Sequence, residues 1–339
     1  MSTQRWTHRP EGSTWGDWGA DDQLGRINLI GPEQRRKAAA EIVDGHSFCL
    51  SLPLDYPGGT VLSAVRHPPV LRPVIRNDAA YYNYMWRDFD ARFNDIAADD
   101  AVLLYTQYST QWDSLAHRGS MFDVDGDGQD EAVYYNGYRA HTDITMSEDN
   151  HATKAEKLGI ENMAHHGVQG RGVLIDLHSE FGNFPRHEVS YDDLMRIIDR
   201  NKIDIETGDI MCLWTGLDQM ILDMGGAPDP SIKTACAVLD GHDPKLLQWI
   251  TDSGIAAIAS DNLAIEAVGK TLADDYCGST LPLHEHCLFK LGLPLGELWH
   301  LAELAKHLAA ANRTRFMLTA PPLRLTGAVG SPVTPIATV

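Results

Sequence analysis

The stretch "QYSTQWDSLAH", residues 107–117, concentrates side chains that could do chemistry. Gln107, Gln111 and Asp113 stand at i, i+4 and i+6, so in an extended segment all three leave one face. A strand presents metal ligands in this way, although an amide oxygen is a weaker ligand than an imidazole. His117 follows in line with Asp113, a pairing that general acid–base catalysis uses. From these residues alone the stretch reads as a metal site, the remnant of one, or the polar end of a strand. Trp112 is expected on the opposite face, in the core.

Other segments offer further groups. "PLHEHCLF" places His284 and His286 on one face of an expected strand, with Glu297 at the start of the next helical segment. "ASDNLAIE" sets Asp261 at the polar end of a strand, where α/β sites gather, and it reads equally as a site residue or a helix cap. "AHHGVQGRG" holds His165 and His166 beside Gly167, Gly170 and Gly172, which points to a tight backbone turn. In "DVDGDGQDEAVYY", Asp123, Asp125, Asp127 and Gly128 fit the start of a calcium loop, but Tyr134 stands where a bidentate Glu is required. A solvated hairpin loop is expected there, with a weak calcium or magnesium site as the alternative. The sequence contains no nucleophile elbow, no Walker loop, no GxGxxG after a strand and no HExxH.

These residues need elements to hold them. "GPEQRRKAAAEIVDG" reads as a helix with Pro32 in its first turn and Gly45 as its stop. "HSFCLSLPLD" alternates like a strand, and residues 52–100 are loop-rich, as the wall of an active site often is. Within that excursion, "AYYNYMWR" offers aromatic side chains for a substrate wall or an exposed lid. "AVLLYTQYSTQWD", "RGVLIDL", "GDIMCLWTG" and "IAAIASD" read as strands, several of them buried on both faces. "SYDDLMRIIDRNKI" and "DPKLLQWITDSG" read as capped helices, and "LGELWHLAELAKHLAAANR" as a longer one. "RFMLTAPPLRLTGAVGSPVTPIATV" is a strand followed by a closing loop. The alternation predicts an α/β fold with mixed or parallel sheets: one domain over residues 26–339, preceded by an irregular arm over residues 1–25.

Composition narrows the function classes. A chain of 339 residues with a formal charge of −19 lacks the clustered basic surface that nucleic acid requires. No apolar run approaches the ~18 residues of a membrane span, and the first residues lack an apolar signal core. Cys49, Cys212, Cys236, Cys277 and Cys287 are scattered and read as reduced thiols. A cytoplasmic protein acting on a small molecule is expected, with no nucleic-acid or membrane partner.

Taken together, these pieces resemble the cyclase-like metal-dependent hydrolases, whose members include kynurenine formamidase, isatin hydrolase and trans-dienelactone hydrolase. The family hallmark HxGTHxDxPxH lines up with "QYSTQWDSLAH" without a gap. Gln107 falls on the first His, Thr110 on the Thr, Gln111 on the second His, Asp113 on the Asp and His117 on the last His. "GVQGRGVLIDL", "SDNLAIEA", "PLHEHCLFKLGLPLGE" and "PLRLTGAVGSPVTPIA" extend the likeness to roughly residues 14–337, in the manner of the longer members. The resemblance implies a swivelling β/β/α fold, commonly dimeric, and a Zn²⁺ or Mn²⁺ cofactor, here one ion.

It further implies that Asp113, His284 and Glu297 hold the metal, with His284 preferred over His286, and that His117 is the general acid/base. Asp113 and Gln111 join His117 in catalysis, while Gln107, Thr110 and Asp261 contact substrate. The activity expected is opening of a small cyclic amide, imide or lactone, or of an aryl formamide, by metal-activated water. Because both motif histidines are glutamines here, a metal-free member with altered chemistry or a ligand-binding role is the second expectation.

Overall fold

A computed structural model describes residues 4–149, 151–269 and 276–339. Its centre is a nine-stranded mixed sheet. In chain order the strands are β1 (Ser47–Cys49), β2 (Gln111–Asp113), β3 (Gln169–Asp176), β4 (Ile210–Trp214), β5 (Ala257–Ser260), β6 (Leu295–Glu297), β7 (Arg315–Thr319), β8 (Gly330–Pro332) and β9 (Ile336–Thr338). In space they run β1-β9-β7-β3-β4-β5-β6-β2-β8. Strands β3 to β6 are mutually parallel, and the flanking pairs on both sides are antiparallel.

The parallel centre follows from its composition. The β4 and β5 runs are continuously buried, and alternate residues feed two separate cores. Val173, Ile175, Met211, Leu213 and Ile258 face one core. It is closed by Leu194 and Ile197 of α2 (Tyr191–Asn201) and by Leu246 and Ile250 of α3 (Pro244–Ser253), following α1 (Pro32–Ala39) in the chain. Leu174, Ile210, Cys212, Ala257 and Ala259 face the other, closed by Leu304, Ala305 and Leu308 of α4 (Ala302–Ala310). Each fully buried aliphatic side chain contributes about 1.5–3 kcal/mol, so a sheet covered on both faces is a rigid mount. The caps read from sequence are present: Ser190 Oγ accepts from Asp193 N, and Asp243 Oδ1 from Lys245 N.

Two expectations change. The segment 101–113 is not one strand. Residues 100–103 pair with 70–73 in an exposed hairpin, the chain then turns, and only Gln111–Asp113 joins the large sheet. The helix expected from residue 295 onward instead begins as β6 and becomes helical only at Ala302, because Leu295–Glu297 is captured between β5 and β2. The excursion between β1 and β2 is largely exposed, with Leu71 at 70% and Phe89 at 69%. Its aromatic residues Tyr81, Tyr84, Phe89 and Phe93 gather around Trp86. The N-terminal arm packs tightly, with Trp15 buried, its indole N–H donating to Phe289 O at 2.8 Å. No helix among the described residues is long and apolar enough to cross a membrane.

Candidate metal centre and active site

The site lies where β2 is held between β6 and β8. Antiparallel register sets Gln111 opposite Glu297 and Asp113 opposite Leu295, with Trp112 turned to the other face. Trp112 is fully buried there, edge-on to Trp299 at 5.0 Å, and donates to Ala320 O at 2.8 Å. That anchor fixes which face Gln111 and Asp113 present. Glu297 belongs to a strand, not to the start of a helix, and its position across from Gln111 follows from the register. On the other side, Gly330 stands opposite Asp113, and a Cβ there would lie 2.7 Å from Gln107 Cγ. The glycine makes room for Gln107 to fold back from its turn over Asp113.

His284 arrives from elsewhere. The expected strand "PLHEHCLF" is a helical turn, Pro282–His284, running into a π-helical segment, Glu285–Lys290. Two residues apart in a helix point roughly 200° apart, so His284 and His286 diverge. His284 faces the carboxylates, whereas His286 Nε2 meets Thr251 Oγ1 at 3.0 Å, against α3. Geometry separates the two histidines that spacing alone left level.

Asp113, His284 and Glu297 each offer a ligand atom, all within 4.8 Å of one another, and all three residues are buried. His284 Nε2 lies 3.3 Å from Glu297 Oε1 and 4.0 Å from Asp113 Oδ2. Gln111 Nε2 donates to Glu297 Oε2 at 2.8 Å. Gln107 Nε2 donates to Asp113 Oδ1 and approaches His117 Nδ1 at 2.9 Å. His117 Nε2 lies 3.8 Å from Asp113 Oδ2. Two buried oxygens, Asp113 Oδ2 and Gln111 Oε1, have no hydrogen-bond partner. Leaving a buried polar atom unpaired costs about 1–3 kcal/mol, and orphans of this kind mark a missing ligand. The donor set of one imidazole and two carboxylates suits Zn²⁺ or Mn²⁺, so the residues fit a divalent ion.

The electrostatics agree. Burial pushes the Asp113 carboxyl above its usual range, against the pull of His117. Burial would also raise Glu297, but the hydrogen bond and charge of His284 hold it below the ordinary value. His284 itself is lifted to about 9: burial opposes its charge, and the bonds to Glu266 and Glu297 outweigh that. Burial lowers His117, keeping it neutral near pH 7. A positive charge at the centre of the carboxylates is what this arrangement favours.

Thr110 and Asp261, expected to contact substrate, do other work. Thr110 is fully buried; its hydroxyl donates to Leu298 O and accepts from Leu52 N at 2.9 Å. Asp261 is fully buried, and its oxygens accept from the amides of Thr215 and Gly216 at 2.8 and 2.7 Å. Both position backbone around the site. The Asp123 loop also closes on itself: Asp123 accepts from the amides of Gly126, Asp127 and Gly128, and Asp125 pairs with Arg139. Among the described residues, these carboxylates do not gather into a group of three ligand atoms.

One essential partner carried no sequence signal. Glu266 Oε1 accepts from His284 Nδ1 and from its backbone N–H, both at 2.8 Å, and Oε2 accepts from Leu283 N at 3.1 Å. It caps the helical turn, holds the imidazole proton on Nδ1 and leaves Nε2 facing Asp113 and Glu297. Eighteen residues separate Glu266 from His284, a spacing that follows no ligand rule. Glu266→Gln is expected to weaken divalent-metal affinity about 10–100-fold while the thermal midpoint changes little. Calorimetric metal titration checks this, and an unchanged affinity would remove Glu266 from the site. Arg66 was also not anticipated. It donates to Gln107 O at 2.8 Å and lines a cleft with Pro57, Thr60, Leu62, Tyr108 and Leu298. Residues 57–66 of the excursion thus form part of the wall, whereas the aromatic group around Trp86 lies outside this lining.

The cyclase family's sequence model matches residues 50–267, well over half of the chain. A crystal structure of a novel cyclase is 32% identical, covers 96% of this chain and 97% of its own, and superposes with a TM-score of 0.75. This chain belongs to the cyclase family. Isatin hydrolase A from Ralstonia solanacearum shares the fold at 13% identity, with 86% of this chain and 91% of that one covered and a TM-score of 0.54. Isatin hydrolase A from Labrenzia aggregata, bound to benzyl benzoate, does so at 11% identity, covering 89% and 95%, with a TM-score of 0.56. No curated protein matches the sequence. The family match includes β2 and Glu266, while His284 and Glu297 lie beyond it.

Proposed function

We propose that this cyclase-family chain is a metal-dependent hydrolase that opens a small cyclic amide, imide or lactone. The observation that carries the reading is the convergence of Asp113, His284 and Glu297 around two orphaned buried oxygens, with His117 beside them. A divalent ion held there by Asp113, His284 and Glu297 would polarise the carbonyl and lower the pKa of water towards about 7.

The chain's own residues supply the rest. His117 moves the proton at Nε2, the ring nitrogen nearest Asp113 Oδ2. The Gln107 amide sets its state. With the NH₂ against Nδ1, the neutral ring carries its proton on Nε2. Turned to present its oxygen, the amide holds the proton on Nδ1, so that Nε2 takes a proton from the attacking water and the imidazolium so formed hands it to the leaving nitrogen or oxygen. Gln111 Oε1 is held in place by the bond from Nε2 to Glu297 and accepts from water or a substrate N–H. Arg66, in the cleft wall, offers positive charge to the developing oxyanion. Isatin hydrolases among the structural neighbours support a cyclic amide as the first substrate class to test.

Metal analysis of purified protein, combined with hydrolysis assays on lactones, cyclic imides and aryl formamides, tests this. One divalent ion at the Asp113, His284 and Glu297 centre and metal-dependent ring opening are expected. A protein without metal and without turnover on any class would sink the proposal in favour of a ligand-binding role.

A further inference from the structure

At the end of the sheet away from β2 and β6, a second group of ligating side chains comes together. Asp44, His46 and His307 each place a ligand atom within 4.8 Å of the others. Asp44 and His46 lie in the loop entering β1, the edge strand, and His307 lies in the last turn of α4. Asp44 Oδ2 is 3.6 Å from His307 Nε2, and the His46 and His307 rings meet edge to face at 5.5 Å. His307 Nε2 is screened from solvent and has no hydrogen-bond partner. A buried ring nitrogen without a partner is costly, and this one sits beside a carboxylate and a second imidazole.

The ligands are held before any ion arrives. Gly45 has φ 74°, in the left-handed region, which turns the chain between Asp44 and His46. Val339 O accepts from Asp44 N at 3.0 Å and from Gly45 N at 2.7 Å, while Val339 N donates to His46 O at 3.0 Å. Phe48 follows His46 by two residues, on the same strand face, and its ring packs on His307 at 5.2 Å. Loop, strand and helix are therefore already in register around the cluster.

We propose that Asp44, His46 and His307 form a peripheral zinc site that fastens the sheet's edge strand to α4. Two imidazoles and one carboxylate are a zinc donor set, and the exposed side of Asp44 and His46 leaves the fourth position to water. Zinc–ligand bonds of about 2.0–2.1 Å put tetrahedral ligand atoms about 3.4 Å apart, so the observed 3.6 Å needs only a small adjustment. A three-residue edge strand is weakly held by its ladder alone, and a metal clip to a buried helix restrains it.

The test is zinc stoichiometry of tag-free protein by calorimetric titration, alongside thermal unfolding with and without zinc. The unmodified chain is expected to bind one more ion than the His46→Ala/His307→Ala double variant, and to gain more in melting temperature when zinc is added. His284→Ala, which removes a ligand of the catalytic centre, should keep this peripheral ion, so the two sites fail independently. His46→Ala alone, at an exposed position, serves if substitution of His307 prevents folding. Equal stoichiometry and equal thermal shifts in the unmodified and substituted chains would overturn the proposal.

Discussion

Replacing His284 with alanine is expected to abolish divalent-metal binding at the proposed catalytic centre, and hydrolysis with it, whereas His286→Ala is expected to leave both in place. His284 is the one nitrogen ligand in its triad; without it, Asp113 and Glu297 remain as two buried carboxylates with no imidazole between them. Loss of a supporting residue typically costs about 10–100-fold in metal affinity, and loss of a ligand from a set of three costs more. The substitution also takes from Glu266 the ring N–H it accepts at 2.8 Å, leaving it the backbone N–H groups of residues 283 and 284. His284→Gln is the companion that restores volume and a hydrogen-bonding tip. His286 sits two residues away but on another face, bonded to Thr251. Metal content of variants made in the His46→Ala/His307→Ala background decides the matter: metal retained by His284→Ala, or lost from His286→Ala, would show that the wrong histidine has been assigned.

That contrast also shows where sequence reasoning stops. Periodicity and end signals were enough for α2 and α3, whose Ser190 and Asp243 caps are formed, and for β3, β4 and β5, whose continuous apolar runs are buried on both faces. The family motif located Asp113, His117, Gln107 and Gln111, and the structure gathers all four within one cluster. Local spacing misjudged the segments in between. Gln107 reaches Asp113 by a turn, since its neighbours 100–103 pair with a different hairpin. His284 stands on a helical turn because Glu266, far away in sequence, binds its backbone N–H as well as its ring. Glu297 is in a strand because β5 and β2 capture it from both sides. Each miss has one cause: a long-range partner overrides the local pattern, and a single sequence does not say which partner that is. Thr110 and Asp261 show the converse, since polar residues at strand ends can be engaged by backbone amides and carbonyls.

His117→Ala is expected to lower turnover by about 10²–10⁴-fold while leaving metal content unchanged, because His117 moves protons and is not in the ligand triad. Gln107 meets the imidazole at Nδ1, at 2.9 Å, and Nε2 stands 3.8 Å from the unpartnered Asp113 Oδ2. Its side chain keeps 20% exposure. Gln107→Leu separates the two halves of this argument. It keeps the imidazole but removes the amide that selects the protonated nitrogen and the bond to Asp113 Oδ1. Turnover should therefore fall, but by less than in His117→Ala, and its pH profile should change shape because the ring tautomer is no longer held. In the double variant the Gln107 effect should vanish, since an amide that acts through His117 has nothing to act on once the ring is gone. Additive losses in the double variant would instead make Gln107 an independent substrate contact. Turnover unchanged in His117→Ala would remove the acid–base assignment altogether.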